Sequence, residues 1–208
     1  KPHDAIACEA RLALTTVKTF EGAALINHQV NAGLSARVRY WRDHFDALSL
    51  ETIVAEAGDI LRHSEPARLI VSGCTIALVG PPNTGKSTLL NTLAGREKAI
   101  VSDMRGTTRD WVSAEIHLPP LAATIIDTAG LDPALASADI DQVAQQRSLE
   151  IVARADLILL VLDLSQPADP IAAGLIESLA HKRTILVLNK ADLPPRFDPG
   201  SLPEPPRE

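Results

Sequence analysis

Residues 80–88 read Gly80-Pro-Pro-Asn83-Thr84-Gly85-Lys86-Ser87-Thr88, a complete G-x-x-x-x-G-K-[ST] pattern between a β-branched apolar run and a helix-forming stretch. In such a loop the backbone N–H groups point inward at phosphate oxygens, and the lysine reaches the β- and γ-phosphates. The serine hydroxyl is suited to coordinate Mg2+. The stretch therefore predicts a nucleoside triphosphate site, with these expected contact residues: Gly80, Asn83, Thr84, Gly85, Lys86, Ser87 and Thr88.

Three further motifs follow in the order of a Mg-GTP site: Gly106-Thr107-Thr108-Arg109-Asp110, Asp127-Thr128-Ala129-Gly130 and Asn189-Lys190-Ala191-Asp192. Each motif alone is more typical of a surface turn. Mg2+ prefers an octahedral set of hard oxygens, so a threonine of the first motif can complete its shell, Thr108 being favoured over Thr107. Asp127 ends an apolar strand and is expected to hold the metal through water, while the N–H of Gly130 senses the γ-phosphate.

The last motif predicts guanine as the base. Asp192 can accept two hydrogen bonds, from N1–H and from the exocyclic amine of guanine, and adenine offers no such pair of donors. The wrong base would leave the carboxylate without partners, which is costly in a pocket. Asn189 and Lys190 are expected to contact the nucleotide beside it. Because all four motifs occur in order, the sequence predicts a GTPase in which Lys86, Thr108 and Gly130 serve hydrolysis.

Composition favours a cytoplasmic α/β protein without membrane contact. Hydrophobic residues make up 46% of the 208 residues but aromatic residues only 3%, so the core is expected to consist of Leu, Ile, Val and Ala. No apolar run approaches the length of a membrane span, and no secretory signal is expected. The net charge of −6 argues against nucleic-acid binding by electrostatic attraction over the whole chain. Cys8 and Cys74 lack metal or redox spacing and are expected to be inert thiols.

Three segments are predicted: a partial helical domain in residues 1–70, a GTPase domain in residues 71–193 and a Pro-rich tail or linker in residues 194–208. Helices are expected at about 4–18, at 21–47 and from Ser49 as N-cap to Arg62. The long middle helix is predicted from six apolar residues at spacings of three and four: Val30, Leu34, Val38, Trp41, Phe45 and Leu48.

From Cys74 onward, strand patterns alternate with helix patterns. Strands are predicted at 74–80, 111–118, 122–127, 156–163 and 183–189, and helices at 85–94, 138–153 and 168–180. This alternation predicts a mostly parallel sheet with helices on both faces, a Ras-like P-loop GTPase domain preceded by an α-helical segment. Residues 96–110 are expected to form a mobile loop, and the strand after it can pair antiparallel with the next one.

The motifs resemble a known family. The loop and its continuation to Asn91, the stretch Leu93-Ala-Gly-Arg96-Glu-x-Ala99-Ile100-Val101, the Gly106–Asp110 motif and Ile125-Ile-Asp-Thr-Ala-Gly-Leu131 resemble the bacterial tRNA-modification GTPases (MnmE/TrmE), relatives of Era and EngA. The resemblance covers about residues 74–192. It implies a homodimer, Mg2+, GTP hydrolysis assisted by K+, and work with a flavoprotein partner on the wobble uridine of tRNA.

Leu131 occupies the position at which many small GTPases carry the water-orienting Gln, and leucine cannot polarise water. The family resemblance implies that a Glu further along and a K+ ion replace it. Asn83 matches the family's K+ ligand, and Asp141 falls near the Glu position. Two alternatives stay open: Asp141 as a helix N-terminal charge, and Arg96, Arg105 or Arg109 as the source of positive charge.

The resemblance also implies segments that the 208 residues lack, namely a folate-binding domain, a second helical half, a C-terminal cysteine motif and a fifth guanine-contacting element. The chain is therefore expected to be either part of a longer protein or a divergent relative of the family. The second functional hypothesis is a GTP-dependent switch or scaffold in ribosome assembly with little intrinsic hydrolysis.

Overall fold

A computed structural model describes residues 4–96, 100–101, 112–128, 150–167, 176, 179, 181–198 and 200. Contacts between Cα atoms divide the chain into two units, residues 1–73 with 117–122 and residues 74–116 with 123–208. Within the described ranges, no helix is long and apolar enough to cross a membrane.

The first unit is built from four helices: α1 Ala5–Ala13, α2 Phe20–Ala32, α3 Leu34–Asp43 and α4 Leu50–Ser72. Three of them begin at residues whose side-chain oxygens cap the first turn, since Asp4 accepts from the Ala7 N–H, Thr19 from the Gly22 N–H and Ser49 from the Thr52 N–H. Such caps satisfy backbone donors that have no partner inside a helix. Ser49 is the N-cap that the sequence predicts.

The prediction of one helix over residues 21–47 is wrong, because Gly33 separates α2 from α3. Gly33 has ψ −144°, and a Cβ atom there would overlap the backbone and side chain of Gln29. The apolar stripe is broken with the helix, and Val38 and Phe45 of that stripe remain exposed. Two boundaries also differ: α1 ends at Ala13 rather than near residue 18, and α4 continues through Pro66 to Ser72.

The second unit contains most of a six-stranded sheet with the order β2-β3-β4-β1-β5-β6. The strands are β1 Cys74–Val79, β2 Ile100–Val101, β3 Val112–Leu118, β4 Leu121–Asp127, β5 Leu157–Asp163 and β6 Thr184–Asn189. β1 pairs in parallel with β4 and β5, β5 pairs in parallel with β6, and β2 pairs antiparallel with β3. Since only two residues join β3 to β4, that pair is antiparallel too.

Alternate residues of β1 face two separate apolar clusters, which places helices on both faces of the sheet. Ile76 and Leu78 pack with Leu90 of helix α5 Lys86–Arg96, whereas Ala77 and Val79 pack with Ile151 from the helical residues 150–154. The mostly parallel sheet with helices on both faces is therefore as predicted. The carboxyl ends of β1, β4, β5 and β6 meet at one edge, where ligands bind in such sheets.

The bounds of the five predicted strands agree with the structure to within one residue. The segments that connect them differ more from prediction. The predicted loop 96–110 contains the end of α5 and the short strand β2. Its other residues lie outside the described ranges, as do most residues of the predicted helices 138–153 and 168–180.

Residues 194–198 contain neither helix nor strand, as expected for a proline-rich segment. They do not form a detached tail, because the N–H of Arg196 donates to the Leu164 carbonyl at 2.9 Å and Phe197 packs against the apolar cluster of β5.

Candidate nucleotide-binding site

The loop between β1 and α5 has the backbone shape that its glycines allow. Gly80 has φ +146° and Gly85 has φ +95°, values that residues with a Cβ atom rarely adopt. A Cβ atom on Gly80 would overlap the backbone oxygen of Val161 in the neighbouring strand β5. Asn83 between them also has a positive φ, at 61°. Gly80 is thus required by its backbone conformation and by the close approach of β5, and Gly85 by its backbone conformation and by the side chain of Asn189.

Lys86 lies within this loop rather than in solvent, with 9% of its surface exposed. Its Nζ donates to the backbone oxygens of Gly80 at 2.9 Å and Pro81 at 2.8 Å. The hydroxyl of Thr84 donates to the Pro81 oxygen as well, at 3.0 Å. The ammonium group is thereby held against the backbone of the loop, where it can exchange a carbonyl oxygen for a phosphate oxygen.

Ser87 and Asp127 form the polar pair of the site, one from the start of α5 and one from the end of β4. The hydroxyl of Ser87 donates to Oδ2 of Asp127 at 2.6 Å. Asp127 is 2% exposed, and its buried Oδ1 has no hydrogen-bond partner among the described residues. A buried carboxylate oxygen without a partner is costly. A hard cation at this point would relieve that cost, so the donor set fits Mg2+.

Thr128 follows Asp127 and anchors the end of β4 to β1. Its hydroxyl donates to the Leu78 oxygen at 2.6 Å, and its N–H donates to the same oxygen at 3.3 Å. The sequence reasoning assigned no role to this residue. Its position directly after the last residue of a predicted strand could have indicated that it anchors the end of that strand.

Asn189 joins the loop after β6 to the phosphate loop. Its Nδ2 donates to the backbone oxygen of Thr84 at 2.7 Å. The predicted nucleotide contact of Asn189 is therefore accompanied by a contact within the protein, which holds the two loops together. Of the other two predicted residues in this loop, Asp192 is exposed and Lys190 has a positive φ of 58°.

Lys190 forms an ion pair with a carboxylate that the sequence reasoning missed. Its Nζ lies 2.6 Å from Oδ2 of Asp163, the last residue of β5. The other oxygen, Oδ1, accepts from the backbone N–H of Ser165 at 2.9 Å and from its hydroxyl at 2.6 Å. The hydrogen bonds from Lys190 and then from Ser165 hold the pKa of the Asp163 carboxyl below its usual value. An Asp that ends an apolar strand, as Asp127 does, was the signal in the sequence.

The structure thus brings together Gly80, Thr84, Gly85, Lys86, Ser87, Asp127, Asn189 and Lys190 at one edge of the sheet. Asn83 and Thr88 are exposed beside them. Several predicted residues lie outside the described ranges: Thr107, Thr108, Gly130, Leu131 and Asp141, together with Arg105 and Arg109.

The chain is similar in sequence to known GTPases. The family model described as "50S ribosome-binding GTPase" matches residues 75–190. The tRNA modification GTPase MnmE of Acholeplasma laidlawii is 42% identical over 142 residues, covering 68% of this chain and 31% of that protein. The protein of the same name from a strain of Thermus thermophilus is 36% identical over 206 residues, covering 90% of this chain and 45% of that protein.

Among solved structures, Aquifex aeolicus Era bound to GDP and AlF4− is 31% identical, with a TM-score of 0.47, and the match covers 57% of this chain and 41% of that one. The chain spans between 31% and 48% of the length of the curated relatives that it matches.

Proposed function

The chain belongs to the family of P-loop GTPases described as 50S ribosome-binding GTPases, and we propose that it binds Mg-GTP and hydrolyses it to GDP and phosphate. The Ras-like P-loop GTPase fold predicted from the motifs is confirmed by this membership. One observation carries the proposal most directly: Asp127 is buried, is hydrogen-bonded to Ser87, and has a second oxygen with no partner among the described residues.

Ser87 and Asp127 would hold the Mg2+ ion, Asp127 through water, with Thr108 as the proposed third ligand. A Mg2+ ion held by these residues would supply positive charge that offsets the negative charge developing on the phosphates during transfer. Lys86 would exchange a bond to a loop carbonyl for one to the β- and γ-phosphates. Asn189, Lys190 and Asp192 would fix the guanine, with Asp192 accepting from the two donors on its edge.

Hydrolysis needs a group that orients the attacking water and a positive charge near the γ-phosphate. Since Leu131 supplies neither, we assign the first task to Asp141 and the second to a K+ ion bound in part by Asn83. The exposed position of Asn83 on the phosphate loop supports this assignment, because its amide oxygen is a hard ligand that would be free to bind a cation next to a bound nucleotide. The N–H of Gly130 would bind the γ-phosphate, and two G domains would associate as a homodimer during turnover.

The cellular process that we propose is modification of the tRNA wobble uridine, together with a flavoprotein partner. This proposal is supported by relatives named tRNA modification GTPase MnmE at 31–42% identity. The second candidate is a GTP-dependent switch or scaffold in ribosome assembly, which is favoured by the description of the matched family as ribosome-binding.

GTP turnover by the purified chain tests the enzymatic part. Phosphate release is measured with GTP and with ATP, in Mg2+ and in a chelator. We expect release from GTP only, only in Mg2+, and none from Lys86→Ala. Lys182→Ala is the matched control, because Lys182 also donates to a backbone oxygen, that of Ala153, but lies outside the site. Equal turnover of GTP and ATP, or an active Lys86→Ala, would contradict the proposal.

The cellular part is tested by introducing Lys86→Ala into the chromosomal gene for this protein in its native cell. Mass spectrometry of tRNA nucleosides then measures the wobble modification, and sucrose gradients measure ribosomal subunits. Loss of the modified uridine with normal subunits supports the tRNA role. Normal nucleosides with an altered subunit ratio support the second candidate instead.

A further inference from the structure

We infer that Asp163, held by Ser165, is a positioning residue for guanine recognition: it fixes the loop that carries Asp192 through its ion pair with Lys190. The inference rests on the proposed function, since it concerns the affinity and base selectivity of the same site.

The Asp163 carboxylate is a fixed anion with a partner on each oxygen. Its side chain is only 7% exposed. Ser165 donates twice to Oδ1, and Lys190 donates to Oδ2 at 2.6 Å. Because Ser165 lies only two residues after Asp163, the two hydrogen bonds from Ser165 hold the carboxylate against the backbone that directly follows it. The carboxylate therefore has little freedom to follow Lys190, and Lys190 must instead come to it.

Lys190 is held in a backbone conformation that residues with a Cβ atom rarely adopt, with φ 58°. Such a conformation persists only when the surrounding contacts determine it. Three contacts do so here. The ion pair fixes the side chain, the Leu164 N–H donates to the Asn189 oxygen at 3.0 Å, and the Leu193 N–H donates to the Lys190 oxygen at 3.0 Å.

The loop so fixed carries the residues predicted to contact the base: Asn189, Asp192 and Lys190 itself. Asp163 and Asn189 are partners in the register of β5 and β6, so the anion lies beside the first residue of the base motif. Asn189 reaches the phosphate loop at Thr84, whereas Asp192 is exposed within the turn that the hydrogen bond from Leu193 to Lys190 closes. The position of an exposed side chain depends on the backbone beneath it. Loss of the anion would free Lys190, relax the turn and misplace the Asp192 carboxylate relative to the guanine edge.

The test compares GDP with IDP, whose base lacks the exocyclic amine that Asp192 reads. Displacement of fluorescent mant-GDP from the 208-residue chain gives the affinity for each nucleotide. For Asp163→Asn we expect the ratio of GDP to IDP affinity to fall roughly tenfold, about the weight of one charge-assisted hydrogen bond. The side chain introduced by Asp163→Asn carries no negative charge to pair with Lys190. If its oxygen keeps the hydrogen bonds from Ser165, its NH2 group faces the Lys190 ammonium, and two donors then oppose each other.

The matched control is Asp156→Asn. Asp156 lies just before the opposite end of β5, where its Oδ2 accepts from the Thr75 N–H at 2.8 Å. Its loss can lower the melting temperature but leaves the ratio of GDP to IDP affinity unchanged. A melting temperature that falls for both variants, with the ratio unchanged in Asp163→Asn, would show that Asp163 only supports the fold and would overturn the inference.

Ser165→Ala decides the question if Asp163→Asn does not fold. It removes one bond to Oδ1 and leaves both the carboxylate and Lys190 in place, so a smaller fall of the same ratio is expected. An unchanged ratio in a folded Ser165→Ala overturns the inference. A wild-type chain that binds GDP no better than ADP contradicts the proposed function itself, whereas wild-type selectivity that survives Asp163→Asn contradicts only the positioning role.

Discussion

The side-chain amide of Asn189 donates a hydrogen bond to the backbone oxygen of Thr84 at 2.7 Å, which joins the loop after β6 to the phosphate loop. The next residue, Gly85, lies against the same amide, and a Cβ atom there would overlap Nδ2 of Asn189. Its φ of +95° adds backbone strain for any other residue. We expect Gly85→Ala to lower the free energy of unfolding by about 1–3 kcal/mol and to weaken GDP binding, as measured by urea unfolding and mant-GDP titration.

Gly95→Ala is the matched control for that substitution. Gly95 lies in α5, and a Cβ atom on it would meet no atom of the described residues within 4 Å. Alanine in a helix is favoured over glycine by about 0.5–1 kcal/mol. Gly95→Ala should therefore raise stability and leave GDP binding unchanged. Loss of binding in both variants would show that the effect of Gly85→Ala is not specific to the contact with Asn189.

Asp127→Asn should separate stability from metal-dependent binding. The variant keeps an oxygen for the Ser87 hydroxyl but removes a buried charge, and a buried charge without full compensation destabilises the fold. We expect its melting temperature in a chelator to equal or exceed that of the wild type. Addition of Mg2+ and GDP should stabilise only the wild type, by about 2.7 kcal/mol when the ligand is at a hundred times its Kd. Equal stabilisation of both proteins would remove Asp127 from the metal site.

The contribution of Asp163 to the free energy of unfolding should be lost on acidification below about pH 4. Its pKa in the folded chain is lowered by Lys190 and then Ser165. The stabilisation from this lowered pKa is fully present above the unfolded pKa of about 3.9 and is lost as the pH falls through the folded value. The difference in unfolding free energy between wild type and Asp163→Asn should therefore shrink on acidification. Urea titrations at neutral pH and at about pH 3 or below measure it, since the loss begins only below the unfolded pKa. A difference that stays constant would contradict the ion pair with Lys190.

The sequence predicted the parts of the site that depend on local pattern. The phosphate loop, the strand before it and the placement of Asp127 and Asn189 at strand ends all follow from periodicity and motif spacing. The break at Gly33 was missed because the spacing of the apolar residues continues across it, while the contact with Gln29 is visible only in three dimensions. Asp163 was missed for a similar reason, since its partner Lys190 is 27 residues away.

Hydrolysis should require K+ if Asn83 binds the ion that replaces an arginine finger. A positive charge at the γ-phosphate is worth roughly 10³–10⁵ in rate. GTP turnover is measured in K+ and in Na+ at equal ionic strength, for wild type and Asn83→Ala. We expect a fast wild-type rate in K+ alone and no K+ response in the variant. Equal wild-type rates in both salts, or an undiminished rate increase by K+ in Asn83→Ala, would contradict the role of K+. Arg96, Arg105 and Arg109 would then be the favoured sources of positive charge.

The most direct measurement of the central claim, that this chain is a guanine-nucleotide enzyme, is a calorimetric titration of wild type and Asp192→Asn with GTP, XTP and ATP. Asp192 is proposed to accept from the guanine amine, whereas the 2-oxo group of xanthine needs a donor, which the amide in Asp192→Asn would supply. We expect wild type to prefer GTP over XTP by about ten- to a hundredfold, and Asp192→Asn to reverse that preference. ATP should bind neither protein, and Asp198→Asn should behave as wild type. Unchanged GTP affinity in Asp192→Asn, or wild-type binding of ATP as tight as that of GTP, would contradict the account.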